Sequence, residues 1–104
     1  MGDTRHFAVA AALVVLVVSP AVASPELARS KNCVACHHLD RKMIGPAYKA
    51  IAERYAKDES AEKALSEKVI KGGAGNWGQT PMPPQPSVSP AEAETLVKWI
   101  LSNQ

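Results

Sequence analysis

Two thiols stand three positions apart at Cys33 and Cys36, and an imidazole, His37, follows at once. Each thiol can add across a haem vinyl group to give a thioether, and the tether carries the next side chain under the iron. A neutral imidazole nitrogen is a good iron ligand. Cys33-Val34-Ala35-Cys36-His37 therefore has the form of a covalent c-type haem attachment. Other chemistries also use paired thiols. A thioredoxin-like dithiol sits in a strand-helix-strand unit, and no such pattern is present. A closed zinc site needs four ligands, yet no cysteine follows Cys36 and only His38 remains beyond His37. A lone cysteine pair in an exported chain would by default form a disulfide. The adjoining His37 is what argues for thioethers.

A six-coordinate, low-spin haem needs a second axial ligand across from His37. His38 is adjacent to it and cannot reach the other face. Met43 lies six residues on, a span of at most about 20 Å that would have to pass out around the ring edge and back. Met82 follows two helical stretches and is flanked by Pro81, Pro83 and Pro84. A lone methionine more often packs a core, but a segment so rich in proline is a poor place for a packing residue. Met82 is the expected ligand, and its soft thioether would favour ferrous iron and raise the reduction potential.

The elements that must hold these residues can be read in order. Arg5 and His6 precede an apolar run of twelve, Phe7 to Val18; Ser19-Pro20 breaks it and Ala21-Val22-Ala23 offers a small-residue cleavage pattern. This is the form of a secretory signal removed near Ala23. Twelve apolar residues fall short of the roughly 18 expected of a membrane span, and no cysteine at the cut would take a lipid. Residues 1–23 are read as the signal and residues 24–104 as one domain. Removing Asp3 and Arg5 together leaves the charge at +2. That balance points neither to nucleic acid nor to an acidic membrane surface. A domain this small buries little surface, and its aromatics are only Tyr48, Tyr55, Trp77 and Trp99. A porphyrin would supply the missing apolar mass.

Ser24-Pro25-Glu26 opens a helix with Ser24 as N-cap, Pro at the first position and an acid in the first turn. Gly45-Pro46 is a loop-to-helix junction; the Pro46 carbonyl is a candidate acceptor for the second ring nitrogen of His37, though a plain turn serves equally. Tyr48, Ile51, Ala52 and Tyr55 recur at helical spacing, with Lys49, Glu53 and Arg54 on the other side. A further helix runs from a cap at Ser60 through Ala61, Ala64, Leu65, Val69 and Ile70 to a stop at Gly72-Gly73. Its lysines, Lys63, Lys68 and Lys71, read as a solvated face. Gly72 to Pro90 holds four glycines and five prolines and no charge after Lys71, which predicts a stiff, irregular strap. Ser89-Pro90-Ala91-Glu92 is a capping box with Pro at the first position. Ala93, Leu96, Val97, Ile100 and Leu101 then form an apolar stripe expected to cross the N-terminal helix.

Taken together, Cys33-Val34-Ala35-Cys36-His37, Gly45-Pro46-Ala47-Tyr48, Trp77-Gly78, Pro81-Met82-Pro83-Pro84 and Leu96-Val97-Lys98-Trp99 resemble the small bacterial class I cytochromes c, the c-551 group. The resemblance spans the domain. It implies an all-α fold of four or five helices wrapped round one covalently bound haem c, with one haem edge exposed. It implies thioethers at Cys33 and Cys36, axial ligation by His37 and Met82, and the Pro46 carbonyl holding His37. Lys68 and Trp77 stand where such proteins hold a haem propionate. The implied role is that of a monomeric periplasmic electron carrier, not an enzyme. Its donor would be of the cytochrome bc type and its acceptor a nitrite reductase or terminal oxidase. Gln85 departs from the family, where an Asn usually follows the double proline and contacts the Met sulfur; Pro86 is also extra. Both differences bear on the potential rather than on ligation.

Overall fold

In a computed structural model of the chain, residues 2, 4, 5, 8–15 and 24–104 are described. The cleavage triplet 21–23 and the end of the apolar run at 16–18 lie outside them. Residues 8–15 form no helix or strand and expose Val9, Leu13, Val14 and Val15. The domain has helix α1 (Ser24–Ser30), a short 3-10 turn (Cys33–Ala35), and helices α2 (Tyr48–Arg54), α3 (Ala61–Lys71) and α4 (Pro90–Leu101). Between α3 and α4 lie strands β1 (Gly73–Gly75) and β2 (Gly78–Met82), paired antiparallel with Gly73 opposite Met82 and Gly75 opposite Gly78.

Helix α4 is the hub and packs against α1, α2 and α3. Its capping box is complete: the Ser89 hydroxyl accepts from the Glu92 N–H at 3.1 Å, and the Glu92 carboxylate accepts from the Ser89 N–H at 3.0 Å. The Ser89 N–H, and then Lys31 at 3.2 Å, hold the Glu92 carboxyl below its ordinary value. Lys31 also donates to the Ser87 carbonyl at 2.8 Å, tying α1 to the start of α4. Beneath these contacts Leu27 and Ala28 of α1 meet Val88, Ala93 and Leu96, and Cys33 and Trp99 pack on the same cluster. This is the expected crossing of first and last helices. Burying Leu96 alone is worth about 1.5–3 kcal/mol.

Three local expectations are corrected. Ser24 is already the first residue of α1, and its hydroxyl donates to the Thr95 carbonyl at 3.4 Å rather than capping. Ser60 stands at the N-cap of α3 in αR geometry and makes no side-chain cap bond. Its N–H and hydroxyl are turned instead to the Asp58 carboxylate, which accepts them at 2.9 Å and 2.6 Å, and these bonds lower the Asp58 pKa. Within α3, Ala64 is exposed while Ser66 is buried, its hydroxyl donating to the Glu62 carbonyl at 2.6 Å.

The segment after α3 is also more regular than expected, because the β1–β2 ribbon occupies its first half. Every side chain of the ribbon is exposed except the half-buried Met82. With nothing to bury, the strands carry no apolar alternation in the sequence, the usual sign of a strand. Gly72 ends α3 at φ +71°, a conformation that disfavours residues with a Cβ. An added Cβ there would sit 2.5 Å from the Met82 carbonyl oxygen and 2.7 Å from the Pro84 nitrogen. The strap thus passes directly over the helix end, and the Gln85 N–H reaches the Val69 carbonyl at 3.2 Å.

Candidate functional site

One cavity of about 470 Å³ opens among the 3-10 turn, the loop to α2, the three later helices and the ribbon. All seven residues singled out in the sequence line it: Cys33, Cys36, His37, Pro46, Lys68, Trp77 and Met82. Met43, the competing methionine, does not line it and is 40% exposed.

The attachment turn is prepared by Asn32, whose φ of 63° reverses the chain out of α1; Asn tolerates this left-handed conformation better than most residues. The Cys33 carbonyl then accepts from the Cys36 N–H at 3.1 Å and the His37 N–H at 3.0 Å. The two sulfurs are not joined to each other. Burial pushes the Cys33 thiol above its ordinary value, with neighbouring Cys36 adding to the effect. A reactive redox dithiol needs a depressed thiol pKa, so the environment argues against that chemistry.

His37 is held from several sides. Its Nδ1 lies 2.7 Å from the Pro46 carbonyl oxygen, so as the Nδ1–H tautomer it donates there and Nε2 is left for a ligand. A Cβ on Gly45 would meet its Cε1 at 2.5 Å, so the backbone approaches the ring as only glycine allows. The Gly45 N–H donates to the Cys36 carbonyl at 2.8 Å and the Tyr48 N–H to the His38 carbonyl at 2.9 Å. Tyr48 stacks on the ring, centroids 5.6 Å apart and planes 22° apart, and meets Trp99 edge-on at 4.9 Å. The Tyr48 hydroxyl is buried and, among the described residues, has no hydrogen-bond partner. Burial, with a smaller contribution from Cys33, pushes its pKa up to about 12.

Met82 ends β2 at the other end of the sequence pattern, half-buried between Pro81 and Pro83. Gln85 also lines the cavity; its side-chain amide donates to the Pro83 carbonyl at 3.1 Å. Trp77 is 39% exposed at the ribbon tip, and the Arg54 guanidinium lies 4.5 Å above its ring. The Lys68 ammonium reaches toward Gly73, in the same part of the wall.

These residues fit a haem. The volume falls in the range of about 300–1,000 Å³ usual for cofactor pockets, and apolar side chains such as Ile51, Leu65, Val69, Leu96 and Ile100 line it. Two thiols, a backed imidazole and a thioether are the donor set a covalent low-spin haem requires. Sequence reasoning missed two neighbours of the site. Arg54 reads as one more outward charge, and nothing in its local pattern marks a cation that will lie over an indole. Tyr48 reads as core, although a phenol at an apolar helical position always raises the question of its hydroxyl.

The family model described as "Cytochrome c" matches residues 21–104. The chain is 46% identical over 92 residues to cytochrome c-552 of Nitrosomonas europaea, covering 88% of this chain and 89% of that one. It is 49% identical over 78 residues to cytochrome c-551 of Pseudomonas aeruginosa, covering 75% of this chain and 74% of that one. The crystal structure of wild-type Nitrosomonas europaea cytochrome c552 superposes with a TM-score of 0.75 at 45% identity, over 77% of this chain and 99% of that one.

Proposed function

The chain belongs to the cytochrome c family, and from that premise we propose that it is a periplasmic one-electron carrier with iron held between His37 and Met82. It is a small c-551-type cytochrome with one covalently attached haem c, and Cys33 and Cys36 fit the attachment motif. The observation that carries the reading is the single cavity lined by Cys33, Cys36, His37 and Met82, with Nδ1 of His37 engaged by Pro46.

Bound haem supplies an iron that takes up and returns one electron. His37 would offer Nε2 to it, with the ring oriented by the bond to Pro46. Met82 offers a thioether that favours the ferrous state. His37 and Met82 together would hold the iron with side chains of this chain, which suits a carrier rather than an enzyme. Trp77 and Lys68, which line the cavity, would hold a propionate.

Partners meet the protein at an apolar rim. Ile44 and Trp77 line the cavity and are 61% and 39% exposed, Val34 beside the attachment cysteines is 43% exposed, and the prolines of the strap are exposed. Such a surface suits brief docking with a donor such as a cytochrome bc complex and an acceptor such as nitrite reductase or an oxidase. Export is supported by the apolar run Phe7 to Val18, followed after Ser19-Pro20 by the Ala21-Val22-Ala23 triplet. No helix among the described residues is long and apolar enough to cross a membrane.

A visible spectrum of the purified holoprotein tests the reading. The ferric form should show the long-wavelength band of a methionine–iron bond. A high-spin ferric spectrum of the wild type at neutral pH would overturn the carrier assignment.

A further inference from the structure

Arg54 ends α2 on its outer face and makes two contacts with one small target. Its guanidinium carbon lies 4.5 Å above the Trp77 ring centroid, and its Nη1 donates to the Asn76 carbonyl. A second aromatic contact, to its neighbour Tyr55 at 5.8 Å, flanks the same group. Among the described residues no carboxylate lies within ion-pairing distance of Arg54. Its charge is therefore not spent on a surface pair.

The ribbon needs such a partner. Its strands bury no side chain but the half-buried Met82. Gly73, Gly75 and Gly78 all take positive φ, and each glycine loses more freedom on ordering than another residue would. Two exposed strands with no apolar face are not stable by themselves. Yet Trp77 at the tip lines the cavity, so something outside the ribbon must fix it. A flat cation over an indole face combines electrostatic attraction with stacking, and the bond to Asn76 fixes the backbone one residue away.

We propose that Arg54 is a positioning residue for the haem: it clamps the Asn76–Trp77 tip so that the Trp77 indole N–H stays against a propionate. The proposal rests on the reading that Trp77 holds a propionate. The clamp has an electrical side as well. Ferric haem carries one more positive charge than ferrous haem, so a cation beside the indole favours reduction. Asp40, Lys42 and Lys68 also line the cavity and set the background on which Arg54 acts.

Arg54→Gln, Arg54→Lys and Trp77→Phe holoproteins test this through two measurements, the solvent-exchange lifetime of the Trp77 indole N–H and the midpoint potential. Arg54→Gln should shorten that lifetime at least tenfold, leave amide exchange in α4 unchanged and lower the potential. Arg54→Lys keeps the charge but not the flat face; its potential should stay near wild type while the lifetime falls by less. An unchanged lifetime in Arg54→Gln would overturn the clamp. A shorter lifetime with an unchanged potential would overturn it too, since Arg54 would then only brace the ribbon. Trp77→Phe separates the underlying reading: if it leaves both the haem propionate proton shifts and the potential unmoved, Trp77 holds no propionate, and the proposal falls with it.

Discussion

Between Cys33 and Lys49 the chain closes on itself through many short bonds, whereas between Gly72 and Gln85 it is held by few. In the first stretch His37 is bonded to Pro46, Gly45 to Cys36, Tyr48 to His38 and Lys49 to Leu39, all at 3.0 Å or less. Tyr48 then carries this stretch into the core. In the second, Met82 depends on exposed strands, on Arg54 at the tip and on the Gln85 N–H at the far end. His37 is thus built into a packed wall and Met82 is delivered on a strap. The lesson is that the two walls of one cavity can differ widely in local stability, since opening free energy follows burial and hydrogen bonding segment by segment.

The sharpest way to break this contrast is Met82→Ala. We expect loss of the ferric methionine band, a fall in potential and new binding of external ligands. Amides from 73 to 82 should exchange at least about tenfold faster, an opening free energy lower by roughly 1.4 kcal/mol, while those from 45 to 51 hold. Equal acceleration in both stretches would show that the halves are not independent.

Two glycines sharpen it. Gly45→Ala drives a Cβ into a His37 ring that Pro46 prevents from moving, and Gly72→Ala drives one into the Met82 backbone at a positive φ. Each should cost about 1–3 kcal/mol in denaturant midpoints. Their spectra should differ: Gly72→Ala weakens the methionine band, and Gly45→Ala leaves it while shifting the His37 ring resonances.

Glu92→Ala should touch neither half. It removes one arm of the capping box and the Lys31 pair, for a small loss of stability with an unchanged spectrum. Because the Glu92 carboxyl titrates below its ordinary value, its contribution is present above that value and is lost as pH falls through the depressed one. The variant should therefore lose less stability than wild type on acidification.

The smallest effect is confined to alkali. Tyr48 titrates at about 12 instead of 10. A folded pKa above the unfolded one means stability that is intact below pH 10 and drains away as pH rises toward 12. Tyr48→Phe should abolish that alkaline loss, measured as the difference in stability between pH 8 and pH 11.

Much of the site was legible because its chemistry is written in short, local patterns. Cys33, Cys36 and His37 lie within five residues, and the three prolines round Met82 set it apart from Met43 without any structure. The capping box at Ser89 is likewise a four-residue signal, and Gly72 stops α3 as its lack of a Cβ suggests. What could not be read depends on partners distant in sequence. The ribbon was invisible since Gly73-Ala74-Gly75 and Gly78-Gln79-Thr80-Pro81 bury nothing and so show no alternation. Arg54 looked like a solvated charge because its target lies 23 residues on, at Trp77.

The crossing of α1 with α4 also sets an order of events. Ser24 bonds to Thr95 across 71 residues, and Lys31 to Ser87 across 56. A chain delivered N-terminus first cannot make these contacts until its last helix has emerged, and contacts this remote in sequence are slow to form. For most of that interval Cys33 and Cys36 stand on an open chain with the Leu27–Leu96 core unclosed. Only when α4 arrives does Cys33 gain the Leu27–Leu96 cluster to pack against, so the attachment turn takes its final setting last.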